Sequence, residues 1–115
     1  MDFNIPRKHF FSDDTQGMII NMPSSMSREL KSRSKAYGWS TAQLIDLVLD
    51  QYLYALAGRT SLPEHTYRFD GGSKEKVSLR LDKAVYKQIE KWSERTKHKL
   101  SQIVILALDT YLSQK

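Results

Sequence analysis

The sequence predicts a mainly α-helical fold in which one strand–helix–helix unit occurs twice. Three observations point to it. Met18-Ile19-Ile20-Asn21-Met22-Pro23 and Val77-Ser78-Leu79-Arg80-Leu81-Asp82 alternate apolar with other residues at period two, which gives a strand two unlike faces. Each stretch is followed at once by two helical patterns. A shift of 59 positions lays the whole unit on itself without a gap, so the chain contains an internal repeat.

Size and composition bound the rest. A chain of 115 residues makes one ordinary domain, or two small units that share a core. A repeat of about 40 residues buries too little surface to stand alone and needs a partner. The formal charge of +5 points to an anionic partner, of which nucleic acid is the commonest. The absence of cysteine excludes disulfides and thiolate chemistry and fits a reducing, cytoplasmic setting. No apolar run reaches the ~18 residues of a membrane span. The opening Met1-Asp2-Phe3-Asn4-Ile5-Pro6 has neither the basic start nor the apolar stretch of a secretion signal.

Taken in order, residues 1–16 carry no clear period and read as an irregular arm. Its cluster Arg7-Lys8-His9-Phe10-Phe11 mixes charge with aromatics, as do arms that lie along DNA. A frayed terminus or a flap over the core is the other reading. In the first strand Met18, Ile20 and Met22 face the core, as do Val77, Leu79 and Leu81 in the second. Pro23 ends the first ladder, and Ser24 or Ser25 can cap a helix running to about Tyr37, with Met26, Leu30 and Tyr37 on its inner face. Gly38 stops that helix by accepting a left-handed conformation. Ser40 then caps a helix whose body, Leu44 to Leu53, is apolar nearly all round and so belongs at the centre of the fold.

The connection over residues 54–76 is rich in Gly, Ser, Thr and charge; as a flexible coil it spans roughly 25–30 Å, enough for the second unit to fold back on the first. Tyr67 and Phe69 hint that part of it packs locally. In the second unit Asp82 caps a helix with Val85, Ile89 and Trp92 on one face, matching Met26, Leu30 and Arg33. A turn at Lys97-His98-Lys99 leads to a last helix from Ser101 to Leu112. Its end, Leu108-Asp109-Thr110-Tyr111-Leu112, nearly copies Leu49-Asp50-Gln51-Tyr52-Leu53.

A strand of the form Val-Ser-Leu-Arg-Leu-Asp, a helix, a turn with Ser and a very apolar second helix resemble the ribbon–helix–helix (Arc/MetJ-type) DNA-binding superfamily. The resemblance covers residues 17–56 and 76–114, about two thirds of the chain. It implies a first unit over 17–56, a linker over 57–75 and a second unit over 76–115. It also implies that the two strands pair antiparallel into a ribbon, since one strand with two helices keeps an open edge and half a core. The whole is then a tandem ribbon–helix–helix, either a pseudo-dimer within one chain or an intertwined dimer of two. The ribbon would enter the major groove of double-stranded DNA. By position, the second unit would present Lys76, Ser78 and Arg80 to base edges, and Arg can bond bidentately to guanine. The first unit departs from the pattern, with Gly17, Ile19 and Asn21 at the matching places. Asn21 can read adenine; Ile19 can touch only a thymine methyl or pack under another segment.

Family members also hold phosphates at the N-terminus of the second helix, where free N–H groups and the helix dipole favour an anion. Carried over, that role falls to Ser40 and Thr41 in the first unit, and to Lys99 and Ser101 in the second. The resemblance implies a transcriptional repressor; an accessory DNA-binding protein of a conjugative relaxosome is the alternative within DNA binding. An antitoxin that neutralises a toxin protein is an alternative of another class, and the end of the sequence at Lys115, directly after the last helix, weighs against its usual tail. Enzymatic chemistry finds little support, and no metal or cofactor is expected. His9, His65 and His98 lack metal-ligand spacing, Gly71-Gly72 reads as linker, and no carboxylates pair for acid–base work. The expected partners are double-stranded DNA and further copies of the chain, as a homodimer or side by side.

Overall fold

Two nine-residue strands and four helices make up the computed structural model, which describes residues 3–5, 13–69 and 71–114. The order is β1 (Thr15–Pro23), α1 (Ser24–Tyr37), α2 (Thr41–Ala55), β2 (Lys74–Asp82), α3 (Lys83–Thr96) and α4 (Leu100–Leu112). The elements start at 15 and 74, 24 and 83, and 41 and 100, an offset of 59 each time. β1 and β2 pair antiparallel as a two-stranded sheet, with Gly17 opposite Arg80, Ile19 opposite Ser78 and Asn21 opposite Lys76. The strands therefore pair within one chain.

Strand parity does what the alternation requires. Ile20, Met22, Leu79 and Leu81 are buried, Met18 and Val77 are half-buried against them, and the intervening side chains face out. A ribbon with one apolar face needs a layer beneath it, and the helices supply that layer. α2 and α4 form the centre, with Leu44, Ile45, Val48, Leu49, Ile103, Val104, Ala107 and Leu108 all sealed from solvent. Met26 and Leu30 of α1 and Val85, Ile89 and Trp92 of α3 close the same core. The radius of gyration, 13.3 Å, is that of one folded body of this length, about 13 Å.

Several boundaries differ from the sequence expectation, each for a physical reason. The strand begins at Thr15 rather than after an arm ending at 16, and β2 takes Lys74 and Glu75 from the linker. These residues are polar and show no alternation, yet the ladder continues through them. It runs on into the helices: Ser24 N–H donates to Ser73 O at 2.9 Å and Lys83 N–H to Asp14 O at 3.0 Å. That is why neither Ser24 nor Ser25 caps α1. Pro23 occupies the cap position without a side-chain hydrogen bond, and Ser24 is already helical. Tyr37 is exposed rather than on the core face, whereas Gly38 ends α1 in the left-handed region at φ 75° as expected. Asp82 caps α3 through Ala84 N–H at 2.8 Å. The matching stop after α3 is Lys97, at φ 61°.

Two segments outside the strands and helices are tied to the helix ends. Phe3 is buried edge-on against Tyr111, and its N–H donates to Gln114 Oε1 at 2.8 Å. Asn4 N–H donates to Gln51 Oε1 at 2.9 Å. Residues 3–5 thus close over the ends of α2 and α4; the Arg7–Phe11 cluster and His9 lie outside the described residues. The connection between α2 and β2 is held by Asp109 of α4, whose fully buried carboxylate accepts from His65 Nε2 at 2.7 Å, Phe69 N–H at 2.9 Å and Arg68 N–H at 3.1 Å. Ser113 Oγ adds a fourth bond at 3.2 Å. Phe69 is buried and Tyr67 stacks edge-on against His65. Among the described residues no helix is long and apolar enough to cross a membrane.

Candidate nucleic-acid interface

The outward face of the ribbon gathers the residues that the sequence singled out as candidate base readers. Lys76, Ser78 and Arg80 of β2 and Ile19 and Asn21 of β1 are all exposed, on one face, in three successive cross-strand pairs. From the Gly17–Arg80 pair to the Asn21–Lys76 pair the face runs four residues, roughly 14 Å at about 3.4 Å per residue. Ile19 sits in the middle with 68% of its surface exposed. Among the described residues no segment of chain covers it.

The two ends of this face differ. Arg80 lies back along the ribbon over Gly17 and donates from Nε to Thr15 Oγ1 at 3.1 Å. A Cβ added at Gly17 would stand 3.5 Å from Arg80 Nη1, an ordinary van der Waals contact, so the guanidinium packs directly over this position. The same end carries Asp82 and Asp14, the latter bridged by Lys83 Nζ at 3.2 Å. At the other end Asn21 faces Lys76, and Lys74 stands opposite Pro23.

The four phosphate candidates sit at the starts of α2 and α4. Ser40 is the N-cap of α2 in a full capping box: its Oγ accepts from Gln43 N–H at 3.1 Å, and Gln43 Oε1 accepts from Ser40 N–H at 3.0 Å. The Ser40 hydroxyl proton remains to donate outward. The Thr41 hydroxyl lies 3.2 Å from Ser34 Oγ, which itself donates to Lys31 O, so its proton turns inward. What Thr41 can offer an anion is its backbone N–H at the first helical position. Lys99 is the N-cap of α4; Gln102 Oε1 accepts from its N–H at 2.8 Å, but the lysine has no acceptor to return. That start is therefore less capped and more positive, with Ser101 half-buried beside it.

Each helix start stands near one end of the ribbon. Asp82 N–H donates to Asp46 Oδ1 at 3.0 Å, which brings the first turns of α2 to the Arg80 end. Lys99, Ser101 and Gln102 share a cleft with Asn21, Pro23 and Lys74, so α4 starts at the Asn21 end. Such flanking is what a duplex needs: groups that meet base edges in the middle, and N–H donors and cations for the backbone on either side.

Sequence reasoning missed Thr15, whose polar neighbours hide it from a period-two search, and Asp109, which looks like a copy of Asp50. Asp50 is exposed, while Asp109 is sealed by the connection it holds. Burial alone raises the Asp109 pKa, yet the bonds from His65, Arg68 and Phe69 hold it below the ordinary carboxylate value. Among the described residues no group of His, Asp or Glu is arranged to hold a metal ion. His65 is committed to Asp109, and the His98 carbonyl accepts from Ser93 Oγ at 2.5 Å. No family model, curated protein or solved structure matches this chain.

Proposed function

We propose that this chain is a sequence-specific double-stranded DNA-binding protein of the ribbon–helix–helix type, in two tandem copies that form a pseudo-dimer, and that it acts as a transcriptional repressor. The observation that carries the reading is the outward ribbon face, with Arg80, Ser78, Lys76 and Asn21 exposed in consecutive pairs. The major groove is about 12 Å wide and admits a two-stranded ribbon. The register supports the tandem reading. Under the 59-residue offset Gly17–Arg80 exchanges with Lys76–Asn21, and only Ile19–Ser78 maps onto itself. Such a pattern is what a two-fold axis through the middle of the ribbon leaves behind.

In this mechanism the positive charge draws the protein to DNA, and Ser40, Thr41, Lys99 and Ser101 fix it on the phosphates. Arg80 then bonds to guanine O6 and N7, Asn21 to adenine N6 and N7, and Ile19 meets a thymine methyl. Occupying a promoter in this way blocks the polymerase. The test is fluorescence anisotropy on a random duplex and on one selected from genomic DNA upstream of the gene, between 50 and 200 mM salt. Affinity falls steeply with salt on both, and Arg80→Ala costs about 1–3 kcal/mol on the selected duplex alone. A flat salt response, or an Arg80→Ala variant as tight as the parent, contradicts the assignment.

A further inference from the structure

We propose, resting on the reading above, that the ribbon binds DNA in one orientation on a non-palindromic site, with Thr15 as the positioning residue that sets the direction by holding Arg80 at a guanine. An identical pair of strands would present the same groups at both ends and would read an inverted repeat. Here the offset pairs are chemically unlike. One end offers a guanidinium opposite a glycine, and the other offers an amide opposite an ammonium.

Thr15 makes the difference sharper. Its Oγ1 takes the Arg80 Nε–H at 3.1 Å, leaving Nη1 and Nη2 without a hydrogen bond among the described residues. These two terminal nitrogens are a planar fork that matches guanine O6 and N7. A long exposed arginine ordinarily loses rotamer freedom on docking; one tethered at Nε has already lost part of it. The offset counterpart of Thr15 is Lys74, and among the described residues no hydrogen bond joins it to Asn21 as Thr15 is joined to Arg80. The ends also differ in charge: Asp14 and Asp82 accompany Arg80, whereas Lys74 accompanies Lys76. Turned around, the protein would set Arg80 against the step that Asn21 fits and leave the guanine facing an amide.

The experiment is selection of bound sequences from a random duplex library by the parent, Thr15→Val and Thr15→Ser, with affinity for an unselected duplex measured beside it. The parent enriches a non-palindromic consensus with guanine at one end. Thr15→Val weakens that guanine preference roughly 2- to 13-fold, the worth of one hydrogen bond. It leaves the unselected duplex and the melting temperature unchanged, and Thr15→Ser, which keeps the hydroxyl, restores the preference. A palindromic consensus, or a guanine preference indifferent to Thr15→Val, overturns the inference while leaving DNA binding intact. If the parent enriches no duplex, both this inference and the DNA-reading assignment fall.

Discussion

Replacing Asp109 with Ala should be among the most damaging single changes outside the apolar core, while Asp50→Ala, 59 positions earlier, should be nearly silent. Asp109 is sealed from solvent and accepts from four donors, two of them the backbone N–H groups of Arg68 and Phe69. Each buried donor left without an acceptor costs about 1–3 kcal/mol. The full sum is not reached, because the strap can lift away and hydrate its donors once the carboxylate is gone. Its lifting also exposes Phe69 and leaves His65 without its acceptor. A net loss of about 3 kcal/mol follows, the cost of one or two buried donors left unpaired. Asp50 is exposed and its loss should stay within ~0.5 kcal/mol. Urea unfolding followed by circular dichroism measures both. If the two variants unfold at the same midpoint, the connection is not anchored through Asp109 and the account of the linker is wrong.

Three further outcomes are expected. The folded-state pKa of Asp109 lies below its unfolded value, so its contribution is fully present above about pH 4 and disappears as pH falls through the folded value. The stability gap between the parent and Asp109→Ala should therefore narrow between neutral pH and pH 3; a gap that stays constant would contradict the sign. Leu47 and Leu106 are both buried and occupy offset positions on the central helices, and truncating either to Ala should cost about 2–5 kcal/mol by thermal or urea unfolding. A truncated variant as stable as the parent would place that side chain outside the core. Lys99→Ala should weaken binding to all duplexes about equally and reduce the salt slope by ~1, because the side chain sits at the start of α4, off the ribbon, where it can meet phosphates. An effect confined to one duplex would assign it to bases instead.

Much of this architecture could be read from residue order because strand parity and helical period are local rules. The inward and outward residues of both strands follow from alternation alone, and the central place of α2 and α4 follows from bodies that are apolar nearly all round. What escaped reading depended on distant partners. Ser24 looks like a helix cap until Ser73 is placed opposite it. Asp109 looks like a surface acid until the connection folds back 40 residues to meet it. Thr15 gains its meaning only from Arg80, on the other strand. The interface candidates were legible for the opposite reason, since exposed strand residues need no partner within the fold to be where they are.

The central claim is that the outward side of the ribbon is what meets the duplex. Amide chemical-shift mapping of the labelled protein with a short double-stranded DNA tests it most directly. The account predicts shifts concentrated at Thr15–Asn21 and Lys76–Arg80, with a second group at Ser40, Thr41, Lys99 and Ser101. Shifts that spare the ribbon and gather on α1, α3 or the connection would contradict it.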